Sequence, residues 1–247
     1  ATDQRLNVQY ELGEAWAYFD PHEYAERVLA NMPPGGRLWV RSPAQLAALS
    51  KVPPLSSLGV YNVNEPVDAS FLTAHAASLH ILRFQSNRSI VDLYDLPELP
   101  RLQGFATSVF GLADLGFLDE LPLLESIWIT ECGDVEDPSS LLRFTALKTL
   151  GLHDCGWLHS LRQLPPLKTV ETLYLSGARL GRELDALVEA ASNVKSLILC
   201  NCEGFNNLRL LGELQLTSLH VDGNTAVSDL HPLSRQLHLS YLSLSET

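Results

Sequence analysis

The chain is poor in the features that mark nucleic-acid binders, membrane proteins and most enzymes. Only 17 of its 247 residues are basic against 29 acidic, a formal net charge of −12, and no basic run occurs in it. Phosphate binding draws its affinity from clustered Lys and Arg that displace counterions, so no nucleic-acid partner is expected. No run of about 18 apolar residues is present to cross a bilayer, so no membrane partner is expected either. Hydrophobic residues nevertheless make up 46% of the chain against 19% charged, which is ample for a core. The G-x-x-x-x-G-K-S/T, G-x-S-x-G, H-E-x-x-H and kinase patterns are all absent. The chain is therefore read as a non-enzyme, with no catalytic residue and no cofactor assigned.

Cysteine is scarce as well. Cys132, Cys155, Cys200 and Cys202 are too few to staple a chain of this length, and no apolar leader precedes them, so a reducing cytoplasm is expected, with Cys132, Cys155 and Cys202 as buried thiols. Lysine is rarer than arginine, 4 against 13. The first residue is Ala1 rather than Met, and the chain is expected to be a piece of something longer.

What is there is a repeat. Leu147-x-x-Leu150-x-Leu152-x-x-Cys155 reads L-x-x-L-x-L-x-x-C, and Val194, Leu197, Leu199 and Cys202 fall in the same frame. Leu216, Leu219, Val221 and Asn224 give the Asn version. Further copies are Leu79, Leu82, Phe84, Asn87; Leu124, Ile127, Ile129, Cys132; Val170, Leu173, Leu175, Ala178; and Leu239, Leu242, Leu244, Thr247. Weaker copies start at Leu102 and Leu55, with degenerate ones at Gly35 and Leu12. In each copy the alternating apolar pair predicts a short strand with its inward residues on one face, and the following Asn or Cys sits where its side chain can satisfy buried backbone groups. Spaced leucines at Ser139 to Phe144 and Arg182 to Ala191 predict short helices or 3₁₀ turns that return the chain, punctuated by Pro138, Pro165-Pro166 and Gly181. No single coil can bury its apolar side alone, so the coils must stack.

These motifs resemble those of the leucine-rich-repeat family, over nearly the whole chain and best between Leu79 and Thr247. The resemblance implies an α/β solenoid, a horseshoe with parallel strands on its concave face and short helices or 3₁₀ turns on its convex face. Residues 1–34 are expected to form an N-terminal cap or atypical first repeat, with a helix started by Asp20-Pro21-His22-Glu23. Ala1 to Tyr10 is polar and reads as part of a preceding linker or domain. Residues 35–247 are expected to hold about ten coils, open at the C-terminus because the chain stops just after a strand. Segments such as Val227 to Leu233 and Ile90 to Pro97 resemble short internalin-like repeats, whereas Gly181 to Asn193 is longer and more helical, so the subtypes are mixed.

The outward strand residues form columns across the coils. One column reads Trp39, Gly59, Arg83, Ala106, Trp128, Gly151, Tyr174, Ile198, His220 and Ser243; the next reads Arg41, Tyr61, Gln85, Ser108, Thr130, His153, Ser176, Cys200, Asp222 and Ser245. Trp, Tyr and Arg dominate binding hot spots, so a protein ligand on the concave face is expected to meet Trp39, Tyr61, Arg83, Trp128, His153, Tyr174, Ile198, His220 and Asp222. The competing reading of Trp128, His153 and Tyr174 is that they pack on one another as cross-strand pairs with only structural value. A face of roughly 500–750 Å² approaches the roughly 800 Å² that one partner gives a standard interface. Basic Arg37, Arg41 and Arg83 fall on early coils, and acidic Glu125, Glu131, Asp154, Glu171 and Asp222 on later ones, a polarity able to orient a partner. Cys200, His220 and Asp222 could be drawn as a metal site, but they lack the ligand spacing of one, and no metal is assigned. Cys155 and His153 point to opposite sides of a strand and cannot pair as nucleophile and base.

The family resemblance implies a protein-recognition module. Intracellular proteins of this kind carry such coils as the ligand-sensing, autoinhibitory part of a nucleotide switch of the NACHT or NOD-like class, where other domains of the same polypeptide are partners too. The arginine skew fits a GC-rich bacterial genome. The alternatives are a bacterial effector whose coils bind a host protein, and an intracellular scaffold or phosphatase-regulator-like subunit.

Overall fold

The computed structural model describes residues 2–63, 65–85, 91–132, 134–154, 166–180 and 184–246. The expected turn residues Asn87 and Cys155, the punctuating Pro165 and Gly181, and the terminal Thr247 lie outside the described residues. Contacts divide the chain into two compact units, Ala1–Ser108 with Glu120–Leu124 and Val109–Asp119 with Glu125–Thr247.

The first unit opens with helix α1 (Thr2–Ala15) and helix α2 (Pro21–Arg27). The start of α2 follows from its sequence: the Asp20 carboxylate accepts the Glu23 N–H at 2.8 Å, and Pro21 fills the first turn, where no N–H is needed. Helix α1 takes in Thr2 to Tyr10, and the degenerate copy starting at Leu12 is helical there and not a strand. It is held by contacts remote in sequence: Gly13 lies against Leu38, and the Leu12 carbonyl accepts Tyr24 Oη–H at 3.1 Å; just past it, buried Trp16 donates to the Pro21 carbonyl. Four parallel strands follow in chain order, β1 (Gly36–Val40), β2 (Leu55–Tyr61), β3 (Ile81–Gln85) and β4 (Gly104–Ser108). Helix α3 (Pro43–Ala48) links β1 to β2 and is capped by Ser42, whose hydroxyl accepts the Gln45 N–H. Leu38, Leu58, Leu82 and Phe105 stack inward in register, as do Val40, Val60 and Phe84.

The second unit carries six parallel strands in chain order: β5 (Ser126–Thr130), β6 (Thr149–His153), β7 (Thr172–Ser176), β8 (Ser196–Cys200), β9 (Ser218–His220) and β10 (Tyr241–Ser243). Its core is three stacked columns. Leu147, Val170, Val194 and Leu216 precede the strands; Ile127, Leu150, Leu173, Leu197 and Leu219 form the first inward rung; Ile129, Leu152, Leu175, Leu199 and Val221 form the second, and all fourteen are buried. Return segments are 3₁₀ turns, such as Ser139–Arg143, or the short helix α4 (Leu184–Ala190). Just past each strand the backbone turns inward through a left-handed residue, at Glu131, Asp154, Gly177, Asn201 and Gly223. At Gly177 and Gly223 glycine suits both the angle and the space, since a Cβ there would strike Asp154 Oδ1 or Asn201 Oδ1 of the preceding coil.

The next position holds Cys132, Ala178, Cys202 and Asn224, and both asparagine and cysteine can accept and donate there. Asn224 Oδ1 accepts the Cys202 N–H at 2.8 Å, while Nδ2 donates to the Leu199 and Val221 carbonyls. One coil earlier the Cys202 thiol lies within hydrogen-bonding reach of the Leu175 and Cys200 carbonyls and accepts from the Ala178 N–H, and burial pushes its pKa up to about 12. Cys202 is therefore the inert buried thiol expected. Cys132, buried at the same position, is not: it is disulfide-bonded.

A second polar device recurs twenty residues after the start of a repeat. Buried Gln236 accepts the Leu216 N–H through Oε1 and donates to the Leu211 and Leu214 carbonyls through Nε2. His75, fully buried, does the same for the first unit: Nδ1 accepts the Leu55 N–H, which places the ring proton on Nε2 facing the Leu49 carbonyl. Burial pulls the His75 pKa below its ordinary 6.5, because a charged imidazolium is poorly solvated there. The folded state then binds fewer protons than the unfolded one in acid, so this contribution is complete above about pH 6.5 and is lost as the pH falls through the lowered value. His75→Gln keeps both hydrogen-bonding roles and is expected to stay within about 1 kcal/mol of the parent at pH 7.5 while flattening the loss of stability towards pH 5.5. Urea unfolding at the two pH values measures both effects, with His75→Leu expected to fall by roughly 2–4 kcal/mol at either.

Candidate functional site

The outward positions of the two sets of strands carry different chemistry. In the second unit Trp128, Gly151, Tyr174, Ile198 and His220 are paired along one rung from β5 to β9, and Thr130, His153, Ser176 and Cys200 along the next. The Trp128 indole lies flat over Gly151, where an added Cβ would collide with Trp128 Cε3. Trp128 and Tyr174 approach with ring centroids 5.3 Å apart and planes tilted by 48°, and His153 also stacks on Tyr174 at 6.1 Å and 13°. His153 Nδ1 lies 3.0 Å from Asp154 Oδ2. Burial raises the Tyr174 phenol pKa, partly offset by its hydrogen bond with Ser176. All three rings keep part of their surface in solvent. They pack on one another as neighbours on adjoining strands and leave part of each ring in solvent, features that both readings drawn from the sequence require.

Farther along, His220 stacks on Tyr241 at 4.7 Å and 28°. Asp222 is committed to Ser243 Oγ–H and the Ser245 N–H, each at 2.7 Å. Burial raises the Cys200 thiol pKa, and Asp222 raises it further. Among the described residues no group of three His, Cys, Asp or Glu side chains is placed to hold a metal ion. Ile198 is half-buried on the same rung.

In the first unit Trp39, Gly59 and Arg83 share one rung, with Tyr61 on the next. The same device recurs there: a Cβ on Gly59 would meet Trp39 Cδ1 at 2.6 Å and Tyr61 Cε2 at 2.5 Å. Trp39 Nε1–H donates to Tyr61 Oη at 3.1 Å, and Tyr10 of α1 packs edge-on against the indole at 5.5 Å. Arg41 is held by a two-pronged pair with Glu14, while Arg83 is exposed.

Ahead of the second unit's strands runs a row of opposite charges. Lys148 Nζ pairs with Glu125 at 2.6 Å and Lys195 with Glu171 at 3.3 Å. They line a shallow cleft of about 460 Å³ together with Lys168 and Asn193. Glu125 and Glu171, two of the acids that the sequence places on the later coils, belong to this row.

The column pattern marks the aromatic strand residues but not Tyr10, Tyr241 or the part played by Gly59 and Gly151. A glycine inside an otherwise β-branched or aromatic strand is the available signal for the last two, since it marks close approach by another group. Gly151→Ala is expected to push Trp128 aside and to cost about 1–3 kcal/mol by overpacking. The check is the Trp128 indole N–H resonance, assigned with Trp128→Phe, which must shift in the variant while core methyl signals hold.

No protein-family model matches the sequence, and no curated protein matches it. Solved structures do. An internalin (inlF) from Listeria monocytogenes superposes with a TM-score of 0.54 at 16% identity, covering 85% of this chain and 67% of the internalin. Internalin C2 from the same organism gives 0.54 at 16%, covering 81% and 84%. At this identity the likeness establishes the fold, an α/β leucine-rich-repeat architecture of parallel strands with short helices and 3₁₀ turns. No helix among the described residues is long and apolar enough to cross a membrane.

Proposed function

We propose that the chain is a non-catalytic protein-recognition module, with its ligand held on the outward faces of the strands. The observation that carries this reading is the half-exposed cluster of Trp128, His153 and Tyr174, seated over Gly151 where no side chain competes for space. Large rigid aromatics held in place lose little entropy on binding, which is why such groups anchor interfaces. Ile198, His220 and Asp222 extend the surface in the second unit, and Trp39, Tyr61 and Arg83 supply the equivalent in the first. The setting we favour is the ligand-sensing region of an intracellular nucleotide switch, and a Walker motif upstream in the full reading frame tests it.

A second reading, an exported effector that binds a host protein, is favoured by the internalin-like fold and by the disulfide at Cys132, a bond that persists in oxidising compartments. An export leader in the reading frame decides for it. In either setting the test of the module is the same. Partner captured on the chain is expected to protect amides of β5 to β9 from hydrogen exchange and to leave the 3₁₀ return segments unprotected; protection confined to the return segments contradicts the reading.

A further inference from the structure

The outward residues of β1 to β4 concentrate positive charge in an otherwise acidic chain. Arg37, Trp39 and Arg41 come from β1 and its end, Ser57, Gly59 and Tyr61 from β2, and Ile81, Arg83 and Gln85 from β3. No Asp or Glu stands among them. Glu14 of α1 reaches this face and is paired with Arg41. Arg37 and Arg83 are both exposed, and among the described residues neither has a carboxylate partner. They stand diagonally about the aromatic floor over Gly59, two strand spacings apart across the ladder and two residues apart along it, or roughly 12 Å.

The hydrogen-bonding sense of this floor is one-sided. Tyr61 Oη already accepts the Trp39 indole proton, so its own O–H is left to donate. Two guanidinium groups and one phenol thus offer donors beside a rigid apolar surface, and charged acceptors match them best. A polyanion such as nucleic acid is a poorer match, because three arginines fall short of the phosphate contacts that give such complexes their affinity and the net charge of −12 repels a long anion.

Resting on the reading of the strand faces as recognition surfaces, we infer that the first unit's face binds a carboxylate-bearing polypeptide segment, with Arg37 and Arg83 gripping Asp or Glu side chains over Trp39 and Tyr61. The test uses the full chain and a fluorescein-labelled decapeptide of alternating Glu and Ser, beside its Gln counterpart and a ten-residue oligothymidylate, by fluorescence anisotropy at about 50 mM salt. The double variant R37Q/R83Q is expected to weaken binding of the Glu peptide at least tenfold. The control R101Q/R235Q removes the same charge from exposed sites elsewhere and is expected to change it less than twofold. Equal loss in both variants, equal binding of the Gln peptide, or oligothymidylate held as tightly as the Glu peptide overturns the inference. If W128A/Y174A abolishes capture of the native partner while the Glu peptide fails to bind, this inference falls and the recognition reading stands.

Discussion

Leu197→Ala is expected to lower the free energy of unfolding by about 2–5 kcal/mol, through lost transfer energy and the cavity left behind. The side chain is fully buried and stands in register between Leu173 and Leu219, so the neighbouring coils cannot close on the space without breaking their own pairing. Ile198 supplies the contrast. It is the next residue along the same strand but projects from the other face, and Ile198→Ala is expected to cost less than about 1 kcal/mol. Denaturant titration of the two variants side by side measures the alternation directly; similar losses for both refute the assignment of inside and outside.

Asn224→Ala is expected to be comparably severe, roughly 2–5 kcal/mol, although it removes few atoms. The carboxamide satisfies the Cys202 N–H and the Leu199 and Val221 carbonyls, all inside the protein where water cannot replace it. Each stranded group costs about 1–3 kcal/mol. Asn224→Cys is expected to recover a good part of the loss, because the Cys202 thiol already performs the corresponding accept-and-donate task one coil earlier. A cysteine variant no more stable than the alanine variant shows that the thiol contributes only bulk.

These two positions also show why the architecture is legible in the amino-acid sequence. Leu197 and Asn224 belong to patterns that recur every twenty-odd residues, so each repeat corroborates its neighbours, and a stacked coil is the arrangement that buries the repeated strand leucines of its inner coils. The start of α2 is legible for a local reason, since Asp20 and Pro21 are read within one turn of helix. Features that depend on contacts remote in sequence are not. Residues 1–10 are polar taken alone, and α1 is placed by contacts with Trp39, Leu38, Tyr24 and Arg41. His75 carries no mark that separates it from a surface histidine until Leu49 and Leu55 close around it. Cys132 sits where a thiol or an asparagine serves equally well, so the repeat pattern is silent on its oxidation.

The candidate site is legible as columns, because period-two alternation sorts Trp128, His153 and Tyr174 to one side of the ladder. Their mutual packing is not, since it turns on Gly151 leaving room for an indole to lie flat. The charge row escapes the column pattern for a related reason: Glu125 and Glu171 precede the strands and meet Lys148 and Lys195 instead of joining the face.

The double variant W128A/Y174A tests recognition by this face most directly, with affinity for the captured partner and the thermal unfolding midpoint measured on the same preparations. A recognition surface predicts at least a tenfold loss of affinity with a midpoint lowered by no more than about 3 °C, since both rings are half-exposed. Unchanged affinity beside a large fall in the midpoint assigns the aromatic cluster to holding the coils together and contradicts the account.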